Sequence, residues 1–392
     1  GASGHAFLPH AATDHTVAGV RDIPTAHAAL DLAVAAVANA AELLPTRCPE
    51  GVYYRRELLT QSVQGRRVDL LTISGSGGRM EEPEAPLPPP LLPDGGERPH
   101  RFRGKPVVMF SARVHPGETP ASHVLDGLLE MLLREHDPRA VALRSRYVFK
   151  VVPMLNPDGV FLGHCRADAG GADLNRTYRN PTRQDQPSIA AAMAVVRQLH
   201  ERGDLLAYID AHALPNRRGC IFFSNRLPPE LKTDSDLFAR LVALNSRWFD
   251  AAGGVTREVT GKNMGTARGA VYSLTGQPRI FTLECNYDGG GRPTQLPPRH
   301  NAAQLVAAGR ISPEPAEPEE EPEEEALRYT PAAWREVGRA IAIAALDMTG
   351  ANPASRLGPP QAGGLQRMRA FIAASADGDD GDDGDGSDDE GD

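Results

Sequence analysis

Cysteine is scarce: the 392 residues include four, Cys48, Cys165, Cys220 and Cys285, far apart and without a Cys-x-x-Cys pair. That spacing argues against a disulfide framework and for reduced thiols in a cytosolic or nuclear protein. Long apolar runs are missing as well. No stretch approaches the ~18 uncharged apolar residues of a membrane span, and the alanine-rich run over 28–44 is interrupted by Asp31, Asn39 and Glu42. A soluble chain is expected, and because no charged segment leads into an apolar one after Gly1, no secretory signal is expected either. No internal repeat is visible. With 41% apolar residues, the chain can bury a large core. One α/β domain of about 250 residues with irregular additions is the expectation.

Basic residues are absent from two segments, and this changes the meaning of the net charge of −9. Residues 377–392 carry ten acidic groups and 314–325 carry eight. Setting those eighteen aside from the 51 acidic residues leaves 33 against 42 basic ones. The remainder of the chain is therefore basic, and a basic face suits an anionic partner.

What is present reads as alternating strands and helices. The alanine-rich run over 28–44 has helical spacing, and 52–74 alternates as two strands around a turn at Gln64-Gly65. Residues 81–99 form a Pro-rich polar insertion, expected to be disordered or a surface loop. A buried strand is expected over 105–114 and a helix over 121–134, where Val124, Leu125, Leu128, Leu129 and Leu132 recur at helical spacing. Strands follow over 147–155, 205–210 and 279–284, with helices over 189–200 and 236–249. Thr330-Pro331 marks the start of a last helix that runs to Met348. This order predicts an α/β fold, a mainly parallel mixed sheet flanked by helices on both faces.

The chemistry falls at the expected strand ends, where open parallel sheets place their sites. His115 and Glu118 follow the first buried strand in Arg113-Val114-His115-Pro116-Gly117-Glu118, and Pro116-Gly117 bends the backbone so that the pair can converge. His212 ends another apolar run, Tyr208-Ile209-Asp210-Ala211-His212. Two histidines and one carboxylate form a zinc set that leaves a fourth position open for water. Glu284 stands in Phe281-Thr282-Leu283-Glu284-Cys285-Asn286, a carboxylate at the end of an apolar strand where burial is costly without a role, and it is the candidate proton shuttle. The stretch 164–176 supplies Arg166, Asn175 and Arg176 in one loop, suited to a substrate carboxylate or an oxyanion. Each has a plainer reading: a His and a Glu three apart more often make a surface pair, and arginines beside Asp168 and Asp173 could simply tie a loop together.

The strings His115-Pro116-Gly117-Glu118, Asn156-Pro157-Asp158-Gly159, Asp173-Leu174-Asn175-Arg176, Asp210-Ala211-His212 and Thr282-Leu283-Glu284, in that order, resemble the zinc metallocarboxypeptidases, and within them the cytosolic carboxypeptidases that trim polyglutamate from tubulin. Residues 54–59, 67–73, 113–119, 282–287 and 340–348 extend the resemblance over 52–348. It implies a metallocarboxypeptidase-like fold, one Zn2+ per chain on His115, Glu118 and His212, and Glu284 as general base and acid. It also implies Arg166 on the scissile carbonyl, Asn175 and Arg176 on the terminal carboxylate, Asp173 behind His115, and Arg268 with Tyr272 in reading a glutamate side chain.

On this reading the enzyme hydrolyses C-terminal or branch-point glutamates, with glutamylated tubulin tails or other acidic protein C-termini as partners. Neither nucleic acid nor membrane is a partner, the chain is a monomer, and it is cytoplasmic, cytoskeleton-associated or nuclear. Three segments follow. Residues 1–51 are a remnant or truncated upstream domain, and 52–350 are the catalytic domain with insertion 81–99 and an acidic loop over 313–325. Residues 351–392 are a C-terminal segment with a disordered acidic tail over 377–392. A zinc amidohydrolase on small acyl amino acids and a non-catalytic binder of acidic tails are the competing readings.

Overall fold

A computed structural model describes residues 51–88, 91–93, 98–290, 295–312 and 328–376. The helix expected over 28–44, Cys48, the acidic loop over 313–325 and the tail over 377–392 lie outside these residues.

Runs that are apolar at every position, rather than at every second one, demand cover on both faces. Strands β5 (Val107–Ala112) and β6 (Val148–Val152) are buried at every residue. They lie centrally in an eight-stranded sheet ordered β1-β2-β6-β5-β7-β10-β8-β9. Here β1 is Val52–Gln61, β2 Arg67–Gly75, β7 Leu205–Ala213, β8 Cys220–Asn225, β9 Val255–Arg257 and β10 Ile280–Cys285, while β3 (Arg79–Pro83) and β4 (His100–Phe102) pair separately. Strands β6, β5, β7 and β10 run parallel. The β1–β2 hairpin joins β6 antiparallel, and β8 joins β10 antiparallel at the other side. The sheet is thus mixed with a parallel centre, as the sequence pattern implies.

Period-two alternation splits the core. Val108, Phe110 and Ala112 of β5 pack with helices Thr119–Leu133, Pro229–Asn245 and Pro331–Asp347, while Val107 and Met109 face helices Pro187–Glu201 and Ala267–Thr275. Helices Thr119–Leu133 and Pro331–Asp347 meet backbone to backbone. A Cβ on Gly338 would stand 1.8 Å from the Val124 carbonyl oxygen, and one on Gly127 would stand 1.9 Å from that of Arg335.

The Pro-rich segment departs from the expected disordered or surface loop. Among its described residues, Leu87 and Leu91 are buried in the second core cluster. Glu84, also buried, takes ion pairs from Arg98 at 2.9 Å and Lys150 at 2.8 Å. These anchors fix a cover over β6, whose Lys150 would otherwise be a buried unpaired charge. The helix expected over 236–249 runs instead from Pro229, with proline at the first helical position, and ends at Asn245, whose side chain donates to Leu241 O and Asp347 Oδ2. Helix Gly364–Ala376 is part of the main body: Arg369 pairs with Asp234 at 2.6 Å and Ile372 is buried. Cys165, Cys220 and Cys285 form no disulfide, and among the described residues no helix is long and apolar enough to cross a membrane.

Candidate metal centre

Three parallel strands deliver the site. After β5, Arg113 turns the chain with a left-handed φ of 58°, and the turn presents His115 and then Glu118, directly ahead of helix Thr119–Leu133. Asn156, which follows β6, caps helix Pro157–Leu162 by accepting from Gly159 N and donates to Val114 O at 3.2 Å, holding that turn from below. His212 lies near the end of β7, and Glu284 on β10 is its partner in the parallel register.

His115, Glu118 and His212 are all buried, and one ligand atom of each lies within 4.8 Å of the others. The Nδ1 atoms of the two histidines are 3.3 Å apart. They face the two oxygens of Glu118, His115 at 2.6 Å and His212 at 3.0 Å. The opposite ring nitrogens are held by carboxylates: His115 Nε2 by Asp173 at 3.0 Å and His212 Nε2 by Asp210 at 2.8 Å. A carboxylate at Nε2 keeps the proton there and leaves Nδ1 as a lone pair. With both Nδ1 atoms deprotonated, two imidazole lone pairs and a carboxylate aimed at one point repel unless a cation lies between them; without one, Nδ1 protons bridge to Glu118. The donor set therefore fits a divalent ion, and two N donors with one O donor fit zinc with one position open.

The electrostatics agree. Burial would lower both histidines, yet Glu118 with Asp173 raises His115, and Glu118 with Asp210 raises His212 well above its ordinary value. Burial would raise Glu118, but His212 and His115 hold it down at about 2. Burial works against Asp173 in the same way and is overcome by His115, Arg166 and Arg176. The cluster of His115, Glu118 and His212 with its supporting carboxylates strongly favours positive charge.

Of the other expected residues, Arg166 and Arg176 reach this centre through Asp173, and Asn175 links their loop to the helix that carries Arg268 and Tyr272. Arg166 donates through Nε to Asp173 Oδ2 at 3.0 Å, and Arg176 Nη1 lies 3.9 Å from the same oxygen. Buried Asn175 accepts from Ala267 N at 3.0 Å, which ties the Asp173 loop to helix Ala267–Thr275. Gly265 allows the approach, since a Cβ there would stand 2.2 Å from the Arg176 carbonyl oxygen. Arg268 is buried, donating through Nη1 to Asn225 Oδ1 at 2.5 Å and Ser224 O at 3.1 Å. Tyr272, one turn on, is half-buried and packs against the second core cluster.

Several participants have roles that the sequence alone did not assign. Asp210 holds His212 and is itself held by Ser111 Oγ at 2.6 Å, which meets the Tyr208 hydroxyl at 2.7 Å. The two-residue spacing of Asp210 and His212 on one strand puts both on the same face and is the signal that could have found this support. Asn225 beside Arg268 had no such signal. Nor had Tyr287, whose phenol is raised by burial and then by Glu118 and Glu284.

A helix-covered, centrally parallel sheet with, among the described residues, one His, Glu and His centre beyond its strand ends is the organisation of a metal-dependent hydrolase. A family profile described as zinc carboxypeptidase matches residues 39–288, and the chain belongs to that family. It is 33% identical to cytosolic carboxypeptidase-like protein 5 of Danio rerio, over 83% of this chain and 47% of that protein. The Homo sapiens protein of the same name is also 33% identical, over 82% of this chain and 46% of its own length. This chain thus spans just under half the length of these relatives. Cytosolic carboxypeptidase 6 of Caenorhabditis elegans is 39% identical over 44% of this chain and 33% of that protein. Among solved structures, the metallo-carboxypeptidase from Burkholderia cenocepacia superposes with a TM-score of 0.54 at 20% identity, covering 79% of this chain and 68% of that one. The Pseudomonas aeruginosa metallo-carboxypeptidase superposes at 0.52, with the same identity and coverage. Both show the fold.

Proposed function

We propose that this chain is a zinc carboxypeptidase that removes glutamates, from C-termini or from branch points, on acidic protein tails such as those of glutamylated tubulin. The observation that carries the reading is the buried convergence of His115, Glu118 and His212 beside the arginines gathered on Asp173. Membership of the zinc carboxypeptidase family and the names of the cytosolic relatives support it, and those names favour a cytoplasmic location.

When bound, zinc supplies Lewis acidity toward the scissile carbonyl and an acidified water. His115, Glu118 and His212 are the residues that would hold it. Asp173 and Asp210 keep the two imidazoles in the tautomer and orientation this requires. Glu284, across from His212, takes the proton of the attacking water on its carboxylate and passes it to the leaving amine. Arg166 stabilises the negative charge that develops on the carbonyl oxygen. Asn175 and Arg176 hold the terminal carboxylate, which restricts cleavage to a chain end, and Arg268 pairs with the carboxylate of a glutamate side chain.

The test compares peptides that end in glutamate, in glutamine and in a branched γ-linked glutamate. The zinc-loaded protein is expected to release glutamate and to prefer it over glutamine by at least ~10-fold, the cost of leaving a buried charge without its partner. Binding without release would favour a non-catalytic binder of acidic tails. Release from small acyl amino acids alone would favour an amidohydrolase.

A further inference from the structure

The proposed reaction uses every charged group in the first turn after β5 except one. Arg113 is 2% exposed and has a φ of 58°, a left-handed conformation that non-glycine residues adopt at a cost and that concentrates at functional sites. Its guanidinium curls forward into the turn. Nε and Nη2 both donate to the Pro116 carbonyl, at 3.1 and 2.5 Å. Nη1 donates to Ser122 Oγ at 2.8 Å. One side chain therefore ties the end of β5, the carbonyl directly after His115, and the first turn of the helix that follows Glu118. These hydrogen-bond partners are neutral, and the charged group facing the guanidinium is Glu118, with Tyr287 beside it. Burial pushes Arg113 down to about 10 against their opposing effect.

Neither an apolar filler nor a lysine reproduces this arrangement. A lysine would keep the charge but offers a single ammonium on a flexible stem, whereas a guanidinium spans both acceptors from one rigid plane. We propose that Arg113 is a positioning residue: its fork fixes the His115-to-Glu118 turn so that both side chains meet His212 with the spacing a zinc ion requires. This inference rests on the zinc reading of the site.

Zinc affinity of the full chain is measured by competition with a chromogenic chelator, alongside the visible spectrum of the cobalt(II) form and the thermal unfolding of the metal-free protein. Relative to wild type, Arg113→Lys is expected to weaken zinc binding by about 10- to 100-fold, the range for residues that orient metal ligands. It should also alter the cobalt absorption and leave metal-free unfolding within a few degrees. Ser122→Ala, which removes only the Nη1 acceptor, should shift both metal readouts in the same direction by less. Zinc affinity within twofold of wild type in Arg113→Lys, with the same cobalt spectrum, overturns the proposal. So does a loss of zinc that is matched by an equal collapse in metal-free stability, the mark of a purely structural residue. If Arg113→Lys does not fold, Ser122→Ala decides alone, and an unchanged cobalt spectrum there counts against the proposal. Wild-type protein that takes up no zinc sinks the metal reading and this inference with it. Normal uptake with unchanged variants sinks only the role of Arg113.

Discussion

Asp210 and Asp173 do the same task for different histidines, but their settings differ. Asp210 is fully buried and braced by Ser111, whereas Asp173 is partly open and braced by Arg166. Asp210→Asn keeps the shape and removes the charge that fixes the His212 tautomer. It is expected to weaken zinc binding by about 10- to 100-fold, as read by equilibrium dialysis, and unchanged affinity would contradict the tautomer argument. At this scale the sequence was informative where chemistry sits in a short string. His115 and Glu118 share one turn, so their proximity could be read directly. Asp210 is braced by Ser111 only through the register of β5 with β7, and Asn225 meets Arg268 only because helix Ala267–Thr275 packs beside β8. Arg113 escaped notice for another reason: its role depends on a backbone angle that no residue pattern encodes.

Between elements, the tightest constraint is the crossing of helices Thr119–Leu133 and Pro331–Asp347. Gly338→Ala would place a methyl group 1.8 Å from the Val124 carbonyl oxygen. The helices must separate, at a cost of roughly 1–3 kcal/mol or more, measurable as a lower urea midpoint. Because Glu118 directly precedes the first of these helices, zinc affinity should fall as well. A second constraint is the ion cluster under the Pro-rich cover. Burial would raise Glu84, but Lys150, Arg98 and Arg202 together hold it below its ordinary value of 4.5. A depressed carboxyl contributes stability above its unfolded value and loses that contribution as pH falls through the folded one. Lys150→Met should therefore cost about 3 kcal/mol at pH 7, and the gap to wild type should narrow as pH drops below 4.5. A gap that widens in acid would contradict this account.

Strands β5 and β6 were legible as apolar runs covered on both faces, and helices such as Thr119–Leu133 because burial of one face imprints a repeat on the sequence. Strands β8 and β9 and helix Ala267–Thr275 were not. Their placement comes from tertiary partners: β10 for β8, and Asn175 for the start of the helix. The cover built from the Pro-rich segment was missed because its anchors, Leu87, Leu91 and Glu84, are spread thinly through a polar stretch.

For the molecule as a whole, charge and site bear on the proposed preference for acidic tails. Outside its two acidic segments the chain is basic, and beyond the carboxylates that hold the two histidines, Arg166 and Arg176 gather on Asp173, a group type that recognises carboxylates. The topology explains how one chain gathers them: parallel β5, β6, β7 and β10 all end on the same side, so the turns after them converge. The account stands or falls on whether His115, Glu118 and His212 hold a zinc ion that works with Glu284 as its proton carrier. The most direct measurement is the rate of glutamate release from a glutamate-terminated peptide by wild type and Glu284→Gln, each with its zinc content determined in the same sample. The account predicts one zinc per chain in both and a rate at least ~100-fold lower in the variant. Equal rates, or activity in protein stripped of zinc, would contradict it.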